Sequence, residues 1–443
     1  MKILCVVALS MAAAGLCCAQ QKYFSVPPVD APQLAARGAY GVGVRTIDIT
    51  HPGQIDILHF DKTTGKAPLY DRPLKIEIWY PAIIPAGQAE TTVYTSAMVG
   101  ATARPGVPKT FEIDGKALRN AAPVKDGPFP LVIVSHGYPG SRTFLTYLTE
   151  NLASKGYVVA AIDHTDSVFG AVREFSSTLL NRSNDQLFTI DALSRQAKES
   201  GNFLNGIVDS SKVAIVGYSM GGYGAVQSAG AGLSPNGLPA KLVPGKYLEP
   251  LTAGNPAFQA LKRDNLKAVV AIAPWGAQPP FNSWDANAFA EILIPALFIV
   301  GDQDDVSGYG PGVQHIFEGA VNSERCMLVY ENARHNVGGN PPPAIPLDFT
   351  GEESFTEPVW RKDRITAINQ HFITAFLDLY LKGDQTRRSF LYVTPEKSND
   401  GQWPLAMGAS VGAAYATEEQ KYWKGFQRRW AVGLEMHCAA AAK

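Results

Sequence analysis

An excess of charge of either sign is missing from this chain. Lysine and arginine number 39 against 40 aspartates and glutamates, a formal net charge of −1. That balance removes any electrostatic case for binding nucleic acid or an anionic membrane surface. Beyond the first residues there is no apolar run long enough to span a bilayer, and so no transmembrane segment is expected. Convincing repeats and low-complexity tracts are absent too. Cysteine is scarce: of five, Cys5, Cys17 and Cys18 lie at the very start, leaving Cys326 and Cys438. In an oxidising compartment that pair is either a disulfide stapling the C-terminal tail to the domain or two separate buried thiols.

What is present suits a large core. With 443 residues, 46% of them hydrophobic, one α/β domain with insertions is expected rather than two domains. Met1 and Lys2 precede an apolar stretch and then Gly15-Leu16-Cys17-Cys18-Ala19. This reads as a signal peptide, residues 1–19, cut after Ala19, which makes the protein secreted or periplasmic. A lipoprotein anchor on Cys17 or Cys18 fits less well, because neither cysteine has a leucine three residues before it.

Residues 212–224 carry most of the functional signal. Val213 to Val216 read as a buried strand, which runs into Gly217-Tyr218-Ser219-Met220-Gly221 and then a small-residue segment fit to begin a helix. A serine hydroxyl is a poor nucleophile until it is exposed and held against a base. A sharp strand-to-helix turn of the G-x-S-x-G type does the first of these, and glycines stand where side chains would clash. It also aims the Met220 N–H and the helix N-terminus at an incoming carbonyl oxygen. Taken alone, the motif is also compatible with a glycine-rich turn bearing a surface serine; the strand before and the helix after favour the nucleophile.

Three more segments complete the reading. Pro130 to Ser135 is an apolar strand ending in His136-Gly137-Tyr138-Pro139-Gly140, and by position Tyr138 supplies the second oxyanion-hole N–H beside Met220. His136 precedes the nucleophile and reads as structural. Ile294 to Val300 is a strand ending in Gly301-Asp302-Gln303-Asp304-Asp305. One of these three aspartates should orient the base; Asp304 is the choice, with Asp302 and Asp305 tying the loop backbone or facing solvent. A metal site there lacks the glycine and distal glutamate of a calcium loop. Of the histidines after Asp304, His315 and His371 fall in helices and His437 in the tail. His335 follows the strand 327–330 in a loop and is the candidate base.

The nucleophile–acid–base order, the strand 74–81, the loop 136–142, the segment 152–164 and the elbow 217–222 together resemble the α/β-hydrolase superfamily. They are most similar to bacterial proteins grouped with platelet-activating-factor acetylhydrolase isoform II and predicted dienelactone hydrolases, over residues 40–382. Around Ser219-Met220-Gly221-Gly222 and Ala273-Pro274-Trp275 the chain is also similar to cutinases and polyester hydrolases, which implies that Trp275, with Tyr138, lines an acyl site. Two departures bear on this. The acetylhydrolase relatives carry their acid where this chain has Pro274-Trp275-Gly276, and dienelactone hydrolases use a cysteine nucleophile.

The expected fold is therefore a mainly parallel sheet flanked by helices, preceded by short antiparallel strands over residues 40–80. Residues 20–39 form a Pro-rich lead-in. Insertions near 82–129, 165–181 and 233–264 are the candidate cap, and residues 383–443, with Trp403, Tyr415, Tyr422, Trp423 and Trp430, an aromatic extension packed on the domain. The resemblance implies a cofactor-free serine carboxylic-ester hydrolase acting on a small or lipid-like ester. The rivals are polyester, peptide or lactone hydrolysis or acyl transfer on the same triad, and a non-catalytic binding protein of the same fold.

Overall fold

The computed structural model of the chain describes residues 23–98, 109–401 and 423–442. The proposed signal peptide, Trp403, Tyr415 and Tyr422 lie outside them. Among the described residues, no helix is long and apolar enough to cross a membrane.

The centre is a run of six parallel strands: β7 (Phe129–Ser135), β8 (Val158–Asp163), β9 (Val208–Tyr218), β10 (Leu266–Ile272), β11 (Ala296–Gly301) and β12 (Arg325–Tyr330), ordered β8-β7-β9-β10-β11-β12. Their sequences are nearly continuous apolar runs because both faces are covered. Leu131 and Ile133 enter one core with Val158 and Ala160, while Val132 and Val134 enter the other with Val159 and Ala161. Helices α1 (Thr146–Ser154) and Lys362–Leu381 cover one face; α2 (Phe175–Gln196) and α3 (Met220–Ser228) cover the other.

The antiparallel edge departs from expectation. In place of several short runs, β1 (Gly41–Ile55) and β2 (Leu69–Ile83) are each 15 residues long and pair along most of their length, with β2 bonded to β8. The shift in register between His51 and Gln54 interrupts the alternation, which is why the sequence pattern looks broken there. Within the 82–129 insertion, β3 (Thr92–Ala97) and β4 (Thr110–Gly115) form a separate hairpin, and the two-residue strands β5 (Leu118–Arg119) and β6 (Ala122–Pro123) return to the main sheet. The connection after β8 is shorter than 165–181, since α2 already begins at Phe175. In the 233–264 insertion, the Tyr247 hydroxyl accepts the Ala67 N–H at 2.8 Å and its ring meets Phe60 edge-on.

The segment before β1 is docked. Ser25 donates to Glu150 on α1 at 2.5 Å, and the Leu34 N–H reaches His371 Nδ1 at 3.0 Å. Beyond the Lys362–Leu381 helix, Trp423 is buried against Phe372 and Phe426. His437, read as part of a tail, lies in a thirteenth strand, β13 (Leu434–Ala439), antiparallel to β12. Its alternating burial is short and flanked by small residues, so little in the local pattern marked it. Cys326 faces Cys438 across that ladder and the two are joined as a disulfide.

The bond links positions 112 residues apart, so its main thermodynamic effect falls on the unfolded chain. Replacing both cysteines by serine should lower unfolding stability by about 2–5 kcal/mol, measured by urea denaturation. An unchanged midpoint would mean that the β12–β13 ladder alone secures this edge.

Candidate active site

Ser219 sits at the junction of β9 and α3 with φ 53° and ψ −114°, outside the regions an L-residue favours. Three backbone bonds hold it there. Its N–H donates to the Ile272 carbonyl at 2.8 Å, and its own carbonyl accepts from Tyr223 at 3.0 Å and Trp275 at 3.1 Å. The turn closes only because its neighbours lack side chains: a Cβ on Gly217 would lie 2.1 Å from the Gly221 oxygen, and one on Gly221 2.0 Å from the Ser135 oxygen.

His335 Nε2 lies 2.9 Å from Ser219 Oγ. Its Nδ1 is 3.0 Å and 3.1 Å from the two oxygens of Asp304. An ionised carboxylate can only accept, so Nδ1 carries the proton and Nε2 is left to accept from the serine hydroxyl. Asp304 also accepts the Val306 N–H at 2.9 Å and the Ser307 N–H at 2.8 Å. Burial pushes its carboxyl up, but the His335 hydrogen bond and charge and these amides outweigh that, leaving it below its ordinary value. The other two aspartates face elsewhere. Asp302 accepts the Asn332 N–H at 2.6 Å, and Asp305 pairs with the Arg334 guanidinium, its Nε at 2.9 Å.

The loop after β7 lies beside the elbow. His136 Nδ1 approaches the Gly137 carbonyl at 2.8 Å, while its Nε2 accepts the His164 N–H at 3.3 Å. Arg182 from α2 donates to the His136 carbonyl at 2.5 Å and to Ser167 Oγ at 2.6 Å. Burial, then the Arg182 charge, holds His136 well below its ordinary range, so the ring is neutral with its proton on Nδ1. Because the Gly137–Tyr138 peptide is trans, turning the Gly137 carbonyl toward His136 turns the Tyr138 N–H the opposite way. Met220 is the first residue of α3, where helix geometry leaves N–H groups without an intrahelical acceptor.

Aromatic rings pack against the residues on either side of Ser219 in the fold, Tyr218 and Trp275. Tyr138 packs on Phe175 at 4.9 Å between centroids, and Phe175 on Trp275 at 5.3 Å. Trp275 is also held by Phe281 and Tyr223 and is only 8% exposed. On the other side Phe144 stacks on Tyr218 and meets Phe169. Reading the sequence did not single out Phe175, Phe144 or Phe169. A lone aromatic at a helix start or in a loop carries no local mark of the ring it will meet. It also missed Gly338, where a Cβ would lie 2.2 Å from the Tyr218 ring; the Gly338-Gly339 pair was visible, but its contact was not.

Several known proteins are similar to this chain. Residues 123–235 match the family described as PETase, PET hydrolase-like. A ferulic acid esterase from Streptomyces cinnamoneus superposes with a TM-score of 0.51 at 20% identity, over 80% of this chain and 94% of that one. The fold is that of an α/β-hydrolase. Among curated proteins, a Thermobifida alba cutinase is 22% identical over 215 residues, 48% of this chain and 55% of that protein. Cutinase 1 of Thermobifida cellulosilytica is 22% identical over 234 residues, 52% of this chain and 68% of that protein. The bis(hydroxyethyl) terephthalate hydrolase of Streptomyces coelicolor is 22% identical over 256 residues, 57% of this chain and 61% of that protein. The chain thus spans little more than half of the first of these relatives. These matches carry the cutinase and polyester-hydrolase part of the resemblance read from sequence.

The close backbone approach at Gly221 generates a test. Gly221→Ala should cost more than about 3 kcal/mol, because neither backbone segment can yield. Gly310→Ala, whose nearest neighbour would be 4.0 Å away, should cost under about 0.5 kcal/mol. Equal denaturation midpoints for the two variants would show that the elbow relaxes.

Proposed function

We propose that this protein is a serine carboxylic-ester hydrolase working through an acyl-enzyme on Ser219. The observation that carries the reading is the continuous relay from Ser219 Oγ through the His335 ring to Asp304, at 2.9 Å and 3.0 Å, with the serine raised on a strained elbow. In this scheme Ser219 attacks the ester carbonyl as His335 Nε2 takes its proton. Asp304 holds the tautomer and stabilises the imidazolium. The N–H groups of Tyr138 and Met220 receive the oxyanion. His335 then protonates the leaving alcohol and activates the water that releases the acid. Every proton is carried by His335, so the cycle calls on no metal or cofactor.

Esters of aromatic acids are the favoured substrate class. Support comes from the rings of Tyr138 and Phe175, which pack in series on Trp275, whose N–H donates to the Ser219 carbonyl, and from relatives named for terephthalate and ferulic acid esters. A polyester substrate is the second reading, resting on the same match. Export is part of the proposal; the Cys326–Cys438 disulfide supports an oxidising compartment. Comparing matched ester, amide and lactone substrates separates ester hydrolysis from the other chemistries open to this triad, and from a non-catalytic protein.

Ser219→Ala should lower kcat by roughly 10⁴–10⁶ in a folded protein, and a serine-directed phosphonate should label wild type at Ser219. Asp304→Asn should lose roughly 10³–10⁴, whereas Asp302→Asn and Asp305→Asn should stay within about threefold, since an asparagine oxygen at 302 can still accept the Asn332 N–H and the exposed Asp305–Arg334 pair contributes little. Retained esterase activity in the alanine variant would end the proposal.

A second expectation concerns specificity. Trp275 is buried among rings, so Trp275→Ala should cost about 3–5 kcal/mol of stability. Phe175→Ala, at a half-buried position, should instead shift kcat/KM between feruloyl and butyryl esters with a smaller fall in melting temperature. The reverse pattern would make Trp275 the pocket wall and Phe175 core.

A further inference from the structure

Residues 331–346 contain no helix or strand, so the backbone around His335 has no ladder to satisfy it. Side chains from other segments do so instead. Glu357 is 5% exposed. One of its carboxylate oxygens accepts the Arg334 N–H at 2.6 Å and the other the Asn336 N–H at 2.6 Å, the N–H groups of the residues before and after His335. Lys362, equally buried at 7%, donates to the Asn336 carbonyl. Tyr218 donates to the His335 carbonyl at 3.2 Å and Asn369 to that of Val337 at 2.7 Å.

The geometry of this bridge is restrictive. A carboxylate accepts at both oxygens, so two amides can share one only when they point to the same place. Here that condition fixes the peptide plane that leaves His335, between 335 and 336, and the plane one residue before it, between 333 and 334, and so limits the direction of the His335 Cα–Cβ bond. A buried carboxylate is costly unless its partners are in place. Any drift of the loop would therefore leave Glu357 unpaired as well as two amides.

We propose that Glu357 is a positioning residue: by bridging the amides of Arg334 and Asn336 it sets the height and tilt of the His335 ring between Ser219 and Asp304. The proposal rests on the acyl-enzyme reading above. Glu357 acts through the histidine, so its loss should slow turnover without weakening substrate binding. A glutamine in its place keeps one acceptor and presents an N–H₂ to the other amide, which must move away.

The test uses the full chain. Sites are counted by stoichiometric phosphonate labelling at Ser219, and kcat and KM for p-nitrophenyl butyrate are measured per labelled site. Glu357→Gln should lower kcat by about 10–100-fold, the scale of an ångström misplacement, with KM within about twofold. Glu353→Gln, which loses only a contact to the Arg334 guanidinium at 3.0 Å, should keep kcat within about twofold. If Glu357→Gln retains wild-type kcat per site, or raises KM alone, the proposal is overturned, whatever its melting temperature. Should that variant fail to fold, Lys362→Met asks the same question from the Asn336 carbonyl, and unchanged kcat there overturns it equally. A wild type that hydrolyses no ester, or a Ser219→Ala variant that still does, would instead overturn the acyl-enzyme reading and this proposal with it.

Discussion

The contact of Gly221 with the carbonyl of Ser135 is the constraint on which the rest of the site depends. It lets the start of α3 come down onto the end of β7, so that β9 can turn sharply enough to raise Ser219 above the sheet. A backbone held in a sparsely populated region costs of order 1–3 kcal/mol. The offset is visible in the bonds from Ser219 to Ile272, Tyr223 and Trp275, which tie the turn to the strand beside it and to its own helix. Gln186 on α2 adds a bond to the Gly221 carbonyl at 3.0 Å. Strain at one residue is thereby spread over two strands and two helices.

Beneath the loop that follows β7 lies a second polar assembly, wholly buried. Arg72 binds Asp185 at 2.8 Å and 3.0 Å and also meets Asp166; Asp185 binds His164 Nδ1 at 2.9 Å, and His164 Nε2 meets Ser135 at 2.8 Å. Burial lowers His164 to about 3, so it is neutral there. The Ser135–His164–Asp185 series has the residue types of the catalytic relay, yet all three side chains are enclosed, with Ser135 and Asp185 fully so. Buried charges of this kind add little net stability. Next to them, Arg182 and His136 orient backbone, bonding the Gly137 and His136 carbonyls on either side of the turn that leads to the Tyr138 N–H.

The same division of labour holds on the other side of Ser219. Loops supply the groups proposed to react and to orient, and buried polar side chains from helices and later loops bond the backbone of those loops. Glu357, Lys362 and Asn369 serve the His335 loop as Arg182 and Gln186 serve the elbow and its neighbour. A site assembled from four loops needs such fixing, because loop backbone has no ladder of its own. Aromatic rings pack alongside, with Phe175 between Tyr138 and Trp275.

Much of this was legible one segment at a time. A parallel strand buried on both faces is an apolar run, an elbow needs glycines at fixed offsets, and the order of serine, aspartate and histidine follows the order of strands. Those are local facts, and the residues they nominated, Ser219, Asp304 and His335, lie within hydrogen-bond reach of one another. Even the choice among three adjacent aspartates followed from spacing. The length of β1 and β2 did not, because an irregularity in register hides a continuous strand. Nor did β13, the ring of Phe175 or the carboxylate of Glu357, and the pairing of Cys326 with Cys438 was one of two readings until the fold brought them together. Each of these takes its meaning from a partner far away in the chain. The sequence alone determined which groups could react, since reactivity is written in residue type and local turn geometry. Tertiary structure decided what holds them in register, since a hydrogen bond or ring contact between distant segments leaves no mark on either segment by itself.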